Sequence, residues 1–176
     1  ILITDPLLAA LVDPNIPEDP EQRMKLVKDC MRANRERQIN RYPVFKRLIE
    51  MADWLEHHYD SLNYMNSQFI SDILVWYHLI WMGETVKLAD SRIKRLIEKG
   101  SGYALHDRIE LVEVIAEQLA NVICRYKELA IKGQIELSVT PYAHPIMPLL
   151  LDLNSTREAM PDALLPDLDA YPGGEQ

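Results

Sequence analysis

The sequence predicts an α/β protein that is mostly helix, with a single core strand near residues 134–140. Three observations carry that reading. Apolar residues recur at spacings of three and four through most of residues 5–132, the period of an amphipathic helix. After Gly133 the spacing changes: Ile135, Leu137 and Val139 alternate with Gln134, Glu136, Ser138 and Thr140, the period of a strand. A further apolar segment, residues 146–151, follows directly. Helix, strand and helix in that order predict a helix-covered sheet or barrel, the strand's apolar face against helices and its polar face toward the lumen.

The elements follow in chain order. Residues 1–4 read as the tail of a strand entering a helix, which Asp5 caps, Pro6 starts and Leu7, Leu8 and Leu11 make apolar on one face. Three prolines make residues 13–20 a loop. A charged helix is expected from Glu21 to about Gln38 on Met24, Val27 and Met31. Pro43 breaks it, and a helix resumes over 44–59 with Phe45, Leu48, Ile49, Ala52 and Leu55 on one side.

Ser67 is the expected cap of a different helix. Phe69, Ile70, Ile73, Leu74, Trp76, Tyr77, Ile80 and Trp81 cover most of its circumference, which predicts burial on more than one side. Asp90 opens a short helix that ends at Gly100. The longest element is expected over about 105–132, with Leu105, Ile109, Val112, Ile115, Leu119, Val122, Tyr126 and Leu129 as its apolar stripe and Gly133 as its stop.

Composition excludes several classes. The chain is 48% hydrophobic and 26% charged, the balance of a globular protein with a core. A net charge of −8 opposes nucleic-acid binding, which needs clustered cations to neutralise phosphates. Arg32, Arg35, Arg37 and Arg41 do cluster, but acidic residues interleave and flank them, so they read as a solvated face. The longest apolar stretch, residues 70–82, is interrupted by Asp72 and His78 and falls short of the roughly 20 residues that cross a membrane. Cys30 and Cys124 fit no metal or redox spacing and read as reduced core or near-core thiols, which favours a cytoplasmic setting. No signal peptide is visible in a sequence that begins at Ile1. Oligomeric state leaves no mark in the sequence.

Chemistry concentrates in residues 133–152. A lumen-facing carboxylate is costly unless paired, so Glu136 has either a structural ion-pair partner or a role in binding substrate. The loop that follows, Thr140-Pro141-Tyr142-Ala143-His144-Pro145, stands where barrel active-site loops stand, at the carboxyl end of a strand. Its prolines hold Thr140 and His144 in extended geometry. A stiff loop offering Tyr142 as an apolar face, with His144 and Glu136 as hydroxyl partners, suits a sugar.

The twenty residues GQIELSVTPYAHPIMPLLLD resemble the second conserved region of glycoside hydrolase family 57, whose form is close to G-x-I-E-L-x-x-x-P-Y-Y-H-P-I-L-P-L-L. Gly133, Ile135, Glu136, Leu137, Pro141, Tyr142, His144, Pro145, Ile146, Pro148, Leu149 and Leu150 all fit. Residues 74–82, LVWYHLIWM, are similar to the family's tryptophan-containing helix, and Glu158-Ala159-Met160-Pro161 to the segment after the motif. The resemblance implies a (β/α)7 barrel that acts on α-glucans by a retaining two-carboxylate mechanism, with no metal or organic cofactor. It places Glu136 and His144 at active-site positions and assigns neither as nucleophile or acid; Tyr142 and Thr140 of the same strand and loop are the further candidate substrate contacts.

The family's H-Q-P strand, its W-x-S-E nucleophile motif and the strand with the acid/base Asp have no counterpart in residues 1–176. Trp54-Leu55-Glu56 lacks that spacing and lies in a helix, and Ala143 replaces a Tyr. The resemblance therefore implies an N-terminal portion of an incomplete barrel, one partial domain with a helical insertion over about 18–132 and the active-site strand and loop at 133–152, inactive by itself. A helical interaction module without catalysis is the competing reading, motivated by the apolar helix at 67–82.

Other candidates read as structural. His57 and His58, with Asp53 and Asp60 near, point about 100° apart on a helix and cannot readily share a metal. His78 reads as a satisfied core or interface histidine, His106-Asp107 as a cap, and Trp76, Tyr77 and Trp81 as core. Lys99-Gly100-Ser101-Gly102 lacks the strand a phosphate loop needs.

Overall fold

A computed structural model of the chain describes residues 4–140, 146–168 and 170–172. It divides into two compact units, residues 1–124 and 125–176.

The first unit is helical and built around α4. Its elements are α1 (Pro6–Val12), α2 (Pro20–Cys30), a π-helical turn (Arg35–Ile39), α3 (Pro43–Glu56), a 3-10 turn (Tyr59–Tyr64), α4 (Ser67–Trp81), α5 (Glu84–Ala89), α6 (Ser91–Lys99) and the greater part of α7 (Leu105–Ile131). α4 packs against α1, α2 and α3, and Ile70, Ile73, Leu74, Val75 and Leu79 are fully or almost fully buried along it. Its wide apolar circumference is thus covered from several sides, as the sequence predicts.

Local chemistry explains the boundaries. The Asp5 carboxylate caps α1 by accepting the Leu8 N–H at 2.7 Å. α2 ends at Cys30, well before Gln38, because Asn34 starts a new turn. Its side chain accepts the Arg37 N–H at 2.9 Å while the Gln38 side chain accepts the Asn34 N–H, and such local bonds compete with helix continuation. Pro43 is the first residue of α3, where its missing N–H costs nothing. Asn66, one residue before the expected Ser67, caps α4. Asp90 and Gly100 bound α6 as expected, Gly100 at φ 73°.

The buried side of α7 differs from the expected stripe. Asp107, Arg108, Leu111 and Val114 are its buried residues, while Ile109, Leu119 and Val122 are exposed. The expected stripe counted only apolar residues. Asp107 is buried because the Ala104 N–H, Lys99 and Arg95 all meet its carboxylate. Arg108 is buried because its guanidinium donates to the Ala10 and Asp13 carbonyls at the C-terminal end of α1, at 3.1 and 3.0 Å. Cys30 is buried but Cys124 is exposed, since its part of α7 has no covering element in this unit.

The second unit holds the end of α7, α8 (Met147–Leu151), a 3-10 turn (Leu153–Ser155) and α9 (Thr156–Ala159). Gly133, at φ 66°, closes α7 in a Schellman arrangement: its N–H reaches the Ala130 carbonyl and the Gln134 N–H the Leu129 carbonyl, both at 3.0 Å. No strand occurs among the described residues, so the expected core strand at 134–140, and with it the incomplete (β/α)7 barrel, is overturned. Residues 135–140 are irregular, with Leu137 57% and Val139 89% exposed. Alternation records which side of a segment could be buried; a strand also needs a neighbour for its backbone groups, and none stands among the described residues.

Candidate functional site

Of the residues expected to touch substrate, Glu136 and Thr140 lie in the irregular segment after Gly133, and both are exposed. Tyr142 and His144 fall outside the described residues. Glu136 is therefore not the buried lumen carboxylate expected, and no ion-pair partner holds it among the described residues. It is a solvated carboxylate free to accept hydroxyl hydrogen bonds.

The two histidines between α3 and the 3-10 turn have local partners. His57 and His58 each place Nδ1 on a backbone carbonyl one turn back, Asp53 at 2.8 Å and Trp54 at 2.7 Å. The His58 ring also stacks on Trp54 at 4.1 Å. The arginine cluster meets carboxylates, with Arg32 on Asp29, Arg35 on Asp53 and Arg41 on Glu84. Hydrogen bonds from Lys87 and Arg41 hold the Glu84 carboxyl below its ordinary range.

Several clefts open on the first unit, and two of them are lined by exposed aromatic rings. One, of about 530 Å³, is lined by Arg47, Glu50, Met51, Trp54 and Tyr64 among others. The other, of about 430 Å³, lies where the start of α1, the end of α4, α5 and α7 meet. Asp5, Tyr77, His78, Trp81, Gln118 and Leu119 line it. The three aromatic residues expected in the core therefore part company. Trp76 is buried, donating its indole N–H to the Gly100 carbonyl at 2.6 Å and meeting the Tyr42 ring at 5.3 Å. Tyr77 is half-buried, and Trp81 is 58% exposed. His78 Nδ1 contacts the Leu74 carbonyl at 2.8 Å. Burial holds His78 below its ordinary value, against the opposing pull of that carbonyl and Asp5, so its ring is neutral at neutral pH.

Sequence reasoning missed the exposure of Trp81. The signal was present: Met82-Gly83 ends the helix immediately after it, and the last residue of a helix has fewer neighbours to cover it. It also passed over Asp72, whose place in an otherwise apolar helix demands buried hydrogen-bond donors.

No curated protein and no solved structure matches this chain. The family description "Glycosyl hydrolase family 57" matches residues 21–164, from α2 through α9, and spans the whole of the 133–152 segment. No helix among the described residues is long and apolar enough to cross a membrane. The match covers most of the sequence and agrees with the motif read from residues 133–152; the chain belongs to glycosyl hydrolase family 57.

Proposed function

We propose that this chain handles α-glucans as part of a retaining glycoside hydrolase or transglycosylase, and that Glu136, Thr140, Tyr142 and His144 supply its substrate contacts. The family match carries the reading, because it includes the segment in which these four residues stand. Membership supports a glycoside-hydrolase type of function and a carbohydrate substrate. The α-linked glucan is what the resemblance of residues 133–152 to the family's motif implies.

The chemistry of the segment supports binding rather than bond cleavage. Retaining hydrolysis needs two carboxylates roughly 5 Å apart, one attacking the anomeric carbon and one protonating the leaving oxygen. Residues 1–176 offer Glu136 as an acceptor for sugar hydroxyls, Tyr142 as a ring for a pyranose face and His144 as a second polar partner. They carry neither the Trp-x-Ser-Glu motif nor the acid/base Asp of the family. Residues 1–176 as they stand therefore bind glucan and do not cleave it.

Calorimetric titration with maltoheptaose tests this. Glu136→Gln and His144→Ala should each weaken affinity about tenfold, the scale of one lost hydrogen bond to a charged or well-placed group. Unchanged affinity in both variants removes these residues from the site, and release of reducing sugar from amylose by residues 1–176 contradicts the assignment of roles.

A further inference from the structure

The cleft between the start of α1, the end of α4, α5 and α7 has no part in the 133–152 segment. We propose that it is a second carbohydrate-binding site, built to take a short α-glucan oligosaccharide on Trp81 and Tyr77. The two rings lie 6.5 Å apart at 63°, so they offer faces at an angle rather than one flat patch. Trp81 is 58% exposed at the end of a helix whose other large apolar side chains are mostly buried. An indole in that position is a surface a pyranose ring can cover.

The polar groups around the rings come from three elements and keep unused capacity. One oxygen of Asp5 accepts the Leu8 N–H at 2.7 Å, and the other has no hydrogen-bond partner among the described residues. His78 donates through Nδ1 to the Leu74 carbonyl. That fixes the neutral tautomer in which Nε2 is an acceptor. Gln118, exposed on α7, adds an amide that both donates and accepts. Two acceptors of fixed character and one group of both kinds complement sugar hydroxyls, which donate and accept from the same atom.

A volume of about 430 Å³ falls within the range of small-ligand clefts. The larger cleft is less suited: His58 stacks flat on one face of Trp54 and Glu50 faces Lys46, whereas the contacts of Tyr77 with His78 and Trp81 are edge-on. The choice of a glucan over another amphipathic ligand rests on the reading given under Proposed function. The site itself stands on the geometry above.

Maltoheptaose titrated into the 15N-labelled chain, followed at the three tryptophan indole resonances, tests the assignment. The Trp81 indole should shift and the buried Trp76 indole should not. Trp81→Ala should weaken the affinity reported there roughly tenfold, the effect of truncating one well-placed aromatic anchor, and Gln118→Ala should weaken it severalfold. Both positions are exposed, and unchanged circular dichroism checks the fold; Gln118→Ala carries the test if Trp81→Ala unfolds. Glu136→Gln should leave the Trp81 shift in place. Binding that Glu136→Gln abolishes, with no Trp81 shift, overturns the second site while the proposed function stands. Trp81-dependent binding that ignores Glu136 and His144 upholds the second site and removes the 133–152 residues. No binding at all overturns both.

Discussion

Asp72→Ala should lower the unfolding free energy by about 4 kcal/mol, and the thermal midpoint by roughly 12 °C. Asp72 is almost fully buried in the middle of α4. One of its oxygens accepts the Tyr103 N–H at 3.0 Å and the Gln68 amide at 2.8 Å, and the other accepts the Gly102 N–H at 3.1 Å. Those bonds fasten the loop between α6 and α7 to the central helix. Removing the carboxylate strands the buried Tyr103 N–H, at about 1–3 kcal/mol, and takes a charged hydrogen bond from the part-buried Gly102 N–H and from the Gln68 amide, which keeps the Tyr103 carbonyl. Asp72→Asn should recover about half of the loss, since its amide oxygen still accepts while its NH2 opposes the second donor. Chemical denaturation of the three proteins reads this directly, and wild-type stability in Asp72→Ala would refute the role.

Asp107→Ala should cost about 3 kcal/mol, with a distinctive pH signature. Asp107 is fully buried in the first turn of α7. Its carboxylate accepts the Ala104 N–H at 2.9 Å, capping the helix, and pairs with Lys99 at 2.5 Å and Arg95 at 3.2 Å. Lys99 and Arg95 are partly exposed, so water takes over much of their charge when the carboxylate goes; the lost cap and the emptied space account for most of the cost. Burial alone would raise the Asp107 carboxyl, but the hydrogen bonds from Lys99 and the Ala104 N–H outweigh it and hold the group below its ordinary 3.8. The unfolded chain therefore binds the proton more readily than the folded one. Its contribution is complete above about pH 3.8 and fades as pH falls through the lower folded value. Denaturation at pH 7 should show the full difference between wild type and variant, and the gap should narrow as pH falls below 3.8, leaving the part that the emptied space supplies. A gap that stays constant with pH would assign the loss to packing alone.

These two carboxylates show why helix positions were legible in the sequence and burial less so. The caps at Asp5, Asp90, Gly100 and Gly133 depend on a few adjacent residues, and there the reading and the structure agree; Pro43, expected as a break before a helix over 44–59, is instead the first residue of α3. The buried face of α7 depends on which distant groups meet Asp107 and Arg108, and a count of apolar residues runs along another side of the helix. The six-residue α5 was missed because it has too few apolar positions to set a period. The segment 134–140 is the sharpest case. Its alternation is genuine, but alternation cannot supply a neighbouring strand. The motif of residues 133–152 was nonetheless legible, because the order of side chains in a family pattern does not depend on the backbone conformation in which they stand. The exposure of Glu136 changes what that residue is, a solvated acceptor rather than a buried charge, and leaves its suitability for sugar hydroxyls intact.

The claim that this chain handles α-glucans is tested most directly by calorimetric titration with an α-linked glucose oligomer, maltoheptaose, beside a β-linked one, cellopentaose. Saturable binding of maltoheptaose, at least tenfold tighter than cellopentaose, is expected in residues 1–176. Equal affinity for both, or binding of neither, would contradict the claim.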